Sequence, residues 1–156
     1  MGRGSGGSAL ARNTALYDED LYAWCNEQAR LLRAGEFSRL DVENLAEELE
    51  SIGRSDRREI DGRLVVLIAH LLKWRLQLGF RSRSWSATIR EQRRRIARLL
   101  QESPSLRPVV DQLLVQAYID AGDKVADETG LAETAFAADC PFTSDEILAE
   151  DFLPGS

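Results

Sequence analysis

DVENLAEELESIGRSDRREIDGRLVVLIAHLLKWRLQL, residues 41–78, carries apolar side chains at one spacing from end to end. Leu45, Leu49, Ile52, Ile60, Leu64, Leu67, Leu71, Trp74 and Leu78 form a ladder with Asp56 as its single polar rung, nine steps over 33 residues. That is the period of an α-helix with one buried stripe. Asp41 reads as the N-cap, with Asn44 where a capping box would place Glu or Gln. Gly53, followed by Ser55 and acids at 56, 59 and 61, leaves open one kinked helix or two coaxial segments.

The flanking sequence has the same character. Residues 1–13 hold too little apolar surface to offset ordering entropy, so a flexible tail is expected there, with the domain spanning 14–156. Asp18, Glu19 and Asp20 read as the acidic first turn of a helix running to Ala34, with Gly35 as its left-handed stop. Gly79 to Ser84 reads as a loop. Trp85, Ile89, Gln92, Ile96 and Leu99 predict a helix ending before Ser103 and Pro104. Val110, Leu114, Ala117, Ala121 and Val125 predict another, from Pro108 to Gly130. Thr143 and Glu146 form a capping box for a short last helix, Ser144 to Glu150. No segment alternates with period two, so the expectation is an all-α, single-domain helical bundle of four to five major helices plus a short C-terminal one.

Composition narrows the function classes. A chain of 156 residues, 44% hydrophobic, builds a core without disulfide or metal staples, which makes Cys25 and Cys140 optional to folding. Neither shows a zinc-site spacing, and both read as free thiols. The longest apolar run, Leu64 to Leu72, falls far short of the ~20 residues of a membrane span. The N-terminus lacks a secretory apolar segment, so a cytoplasmic location and no membrane partner are expected. The net charge of -6 conceals a division: residues 54–98 carry 13 basic against four acidic side chains, so +9 stands there against -15 elsewhere.

Several motifs in fixed order carry a resemblance. Tyr17-Asp18-Glu19-Asp20-Leu21-Tyr22-Ala23-Trp24, the 40–50 stretch LDVENLAEELE, His70-Leu71-Leu72-Lys73-Trp74, Ser84-Trp85 with Thr88-Ile89 and Gln92-Arg93, Ser103-Pro104-Ser105-Leu106, Glu128-Thr129-Gly130-Leu131 and Cys140-Pro141-Phe142 together resemble the bacterial domain of unknown function family 29, from about Leu16 to Pro154. The resemblance implies a compact helical domain and no established activity. The chain departs from the family pattern at Gln77-Leu78-Gly79-Phe80 and at Ala137.

Candidate chemistry is sparse. His70, the single histidine, lies at the edge of the buried stripe and is the one catalytic or ligand candidate. Di-iron bundles require Glu-x-x-His, and position 67 is Leu, so no metal or cofactor is expected. Glu48 lies too far along the ladder to join His70, so any partner must come from another helix, such as Glu91. Cys25, beside Trp24, reads as inner-face packing, and nothing lowers the pKa of Cys140. An anion could rest where Ser84 opens a helix between Arg81 and Arg83, although Ser84 or Ser86 capping is the plainer reading.

The strongest lead is arginine. Arg90, Arg94 and Arg98 recur at four-residue spacing, flanked by Arg93 and Arg95, with Arg81, Arg83, Trp85 and Phe80 nearby. Such a face grips phosphates and stacks bases, or pairs with acids of the 41–50 helix. The first hypothesis is a non-enzymatic interaction or regulatory domain with a protein partner or a second copy of itself. Nucleic-acid binding is the second, and a small hydrolase-like or metal-dependent enzyme centred on His70 the third.

Overall fold

The computed structural model describes residues 5–155. Among them it shows six α-helices, five of them long, and no strand, as the period of the ladder requires. The chain forms two compact units, one up to Gly53 and one from Arg54.

In the first unit, α1 (Ser5–Glu19) and α2 (Leu21–Ala34) meet at a single residue, Asp20. Its backbone N–H still donates to Leu16 at 2.8 Å, ending α1, while its carboxylate accepts from Ala23 N at 3.0 Å, capping α2. One residue thus supplies the stop with its backbone and the start with its side chain, and Asp18 and Glu19 close the preceding helix instead of opening the next. Helix α1 also begins inside the stretch expected as tail; residues 1–4 lie outside the described part. Ala9 and Asn13, one turn apart, are buried, and the Asn13 amide donates to Arg39 O at 2.8 Å. The α2 end is as expected: Gly35 at φ 71°, with Glu36 N bonded to Leu31 O and Gly35 N to Leu32 O.

The core of this unit is a polar knot. The Trp24 indole donates to Asp41 Oδ2 at 3.1 Å, Asn44 donates to the same oxygen at 2.7 Å, and Asp41 N donates to the Gln28 side chain at 2.8 Å. Tyr17 packs edge-on to Trp24, with centroids 4.9 Å apart, and its hydroxyl donates to Glu48 at 2.6 Å. Asp41, Trp24 and Gln28 are all buried. Inward-facing α2 positions are therefore Trp24, Gln28 and Leu31. Cys25, rotated about 100° from Trp24, is exposed, contrary to its expected inner-face packing.

Helix α3 (Val42–Leu76) is a single helix, and Gly53 keeps a helical backbone. In the second unit α3 is followed by α4 (Arg83–Glu102), α5 (Arg107–Thr129) and α6 (Ser144–Leu148). Ile60, Leu64, Leu67 and Leu71 of α3 join Ile89 and Ile96 of α4, Val110, Ala117, Ala121 and Val125 of α5, and Phe142 and Ile147 near the C-terminus in one apolar core. Ser82, not Ser84 or Ser86, caps α4, its hydroxyl accepting from Trp85 N at 3.2 Å. Gly130 at φ 72° stops α5. The Thr143–Glu146 capping box starts α6, which ends at Leu148, two residues short of the expected end.

Candidate binding site

The arginines of the central block divide by what they touch. Arg93, expected beside the exposed face, is 5% exposed and turns inward. Its guanidinium donates to Ile147 O at 2.8 Å and to Glu146 O and Glu150 O at 3.3 Å each, gathering carbonyls at the end of α6 and just beyond it. A fork of donors suits this use: the last carbonyls of a helix have no partner within it. Burial pulls the Arg93 pKa down from its ordinary value, yet a guanidinium stays charged. Arg81, also expected on the surface, lies over the Trp74 ring at 5.1 Å and donates to Trp74 O at 2.9 Å and Pro154 O at 3.4 Å. Both are structural clamps on the C-terminal segment.

Trp85 is only half-exposed. Lys73 Nζ sits 5.3 Å above its ring and 2.9 Å from Glu128 Oε2, while Lys124 reaches the other Glu128 oxygen at 3.5 Å. The Lys73 hydrogen bond holds the Glu128 carboxyl below its usual range. Three motifs that carry the resemblance, around residues 73, 85 and 128, thus meet at one buried ammonium. His70 stands at the edge of this cluster. Its Nδ1 lies 2.8 Å from Val66 O, so the ring donates there and Nε2 is left as acceptor. Burial lowers its pKa against the opposing Val66 hydrogen bond, with Lys73 and Lys124 adding to the lowering and Glu128 countering it. The acid near His70 is Glu128 on α5, which sequence spacing did not single out. Cys140 is half-buried, and burial raises its thiol pKa.

Exposed on α4 are Arg83, Arg90, Arg94, Arg95 and Arg98. Glu91 holds two of them: Arg94 by a close ion pair and Arg95 at 2.7 Å, which lowers the Glu91 pKa. Arg90 and Arg98 make no hydrogen bond or ion pair among the described residues. Phe80, in the 3₁₀ turn Leu78–Phe80, is exposed. Between α4 and the end of α6 runs a cavity of about 530 Å³, lined by Ala87, Arg90, Glu91, Arg93, Arg94, Ala97, Leu148 and Glu150. Sequence reasoning named the arginines of this groove. It missed the alanines that give it depth and the wall supplied from residues 148 and 150; the one available signal was the pair of small residues ten apart on an otherwise long-chained face.

Fold and site together define an all-α helical protein with a cationic groove on its fourth helix, and no helix among the described residues is long and apolar enough to cross a membrane. The chain belongs to the family described as domain of unknown function DUF29, whose model matches residues 16–153. No curated protein and no solved structure matches it.

Proposed function

We infer that this chain is a non-enzymatic interaction domain that meets an acidic protein partner through the exposed side of α4. The observation that carries the reading is the sorting of the arginine block. Arg63 is spent on Glu59, and Arg81, Arg93, Arg94 and Arg95 on the acceptors described above, whereas Arg90 and Arg98, two turns apart on one face, have no such partner. Exposed guanidiniums that hold no partner contribute little to folding and remain available to steer an encounter. The surroundings of His70 favour the same reading, since its Nδ1 is committed to its own helix and its charged neighbours are paired to each other.

Fluorescence anisotropy with labelled poly-L-glutamate and with a labelled single-stranded RNA, each at low and high salt, tests this. Binding of the acidic peptide that falls with salt and is lost in the Arg90→Glu/Arg98→Glu double variant is the expected result. Binding of the RNA with no binding of the peptide would replace the reading with nucleic-acid recognition.

A further inference from the structure

The groove between α4 and the end of α6 has a more specific chemistry than a cationic face. Of its charged lining, Arg93 is spent on the α6 carbonyls, and Arg94 and Glu91 are spent on each other. That leaves two charges of opposite sign: Arg90 from α4, and Glu150 from the segment after α6, whose carboxylate makes no hydrogen bond or ion pair among the described residues. The remaining lining, Ala87, Ala97 and Leu148, is apolar. From Ala87 to Ala97 the groove follows about 15 Å of helix, the reach of four or five extended residues. With one uncommitted guanidinium in its lining, the groove pairs a single carboxylate, and further anionic charges of a partner lie outside it, toward Arg98 on the α4 face.

We propose that this groove holds a short extended peptide segment of the partner, with a carboxylate side chain on Arg90, main-chain N–H groups toward Glu150 and small apolar side chains on Ala87, Ala97 and Leu148. The inference rests on the reading of α4 as the contact face and adds where on it the partner lies and what it must offer. Arg98 belongs to that face but not to the groove lining.

The probe is a short, acetylated, fluorescein-labelled peptide with a single Glu flanked by Ala residues, titrated by anisotropy against the full chain. Ala97→Trp fills the groove without touching a charge and weakens binding at least about tenfold, while Arg98→Glu changes it by no more than about twofold at physiological salt. Thermal melting and circular dichroism establish that each variant is folded; Ala87→Trp, which plugs the opposite end, serves if Ala97→Trp is not. Undiminished binding by a folded plugged variant that is still abolished by Arg90→Glu would overturn the groove and leave the α4 face standing. Binding of neither this peptide nor poly-L-glutamate would overturn both.

Discussion

The two units solve the burial problem in opposite ways. From Arg54 onward, α3, α4, α5 and α6 close an apolar core, and the few charges admitted to it, Lys73 and Arg93, arrive with acceptors already in place. Up to Gly53, the buried centre is a hydrogen-bonded knot around Asp41, while Tyr22, Phe37, Val42, Leu49 and Ile52 stay exposed. Helix α3 shows the contrast along its own length: the ladder that is fully covered at Ile60, Leu64 and Leu67 is bare at Leu49, 68% exposed, and Ile52, 62% exposed. Apolar period alone therefore specifies a helix and a face, and only the neighbours decide whether the face is covered. Burial of a leucine stabilises by roughly 1.5–3 kcal/mol, a gain that the rungs from Ile60 to Leu71 collect in full and Leu49 does not.

The contrast breaks most sharply at matched leucines. Leu67→Ala, in the closed core, is expected to cost about 2–5 kcal/mol in urea unfolding, and Leu49→Ala less than about 0.5 kcal/mol; equal losses would mean that the exposed rungs are covered in solution. Next in size is the knot. Asp41→Ala strips the acceptor from both the buried Trp24 indole and Asn44, and about 1–3 kcal/mol should be lost, with a shift in tryptophan emission as its signature. Arg93→Met, which keeps the stem and removes the fork, should raise amide exchange at Ile147 and Leu148 by more than tenfold while leaving the α5 amides unchanged.

The smallest effect is on pH. Burial lowers the His70 pKa in the folded chain, so as pH falls below about 6.5 the unfolded chain takes up the proton first and stability declines. The loss begins at the ordinary imidazole value and ends once pH is below the lowered one. His70→Gln should flatten this part of a melting-temperature profile, and an unchanged slope would assign it to other groups.

Much of the fold is legible because its signals are local. Gly35 and Gly130 stop helices through their own backbone, Thr143 and Glu146 start one by reaching each other, and the 41–78 ladder needs only its own period. What stays hidden depends on rotation or on distant chain. Asp18, Glu19 and Asp20 look alike in sequence, yet only Asp20 reaches a free N–H. Cys25 sits next to a buried residue and is itself turned out. Arg93 resembles its neighbours at 94 and 95 until α6, more than fifty residues later, presents its carbonyls. For the same reason the site is half legible: α4 shows its arginines, while Leu148 and Glu150 close the groove from a segment that sequence spacing cannot place.

The Arg93 clamp has a thermodynamic consequence. A five-residue helix does not persist alone in water, so α6 exists only while docked, and the wall formed by Leu148 and Glu150 exists only with it. Every occupant of the groove must therefore draw on the population in which the tail is seated, and its affinity is scaled by that fraction. By reciprocity, occupancy tightens the tail, so ligand binding and C-terminal order are two readings of a single equilibrium.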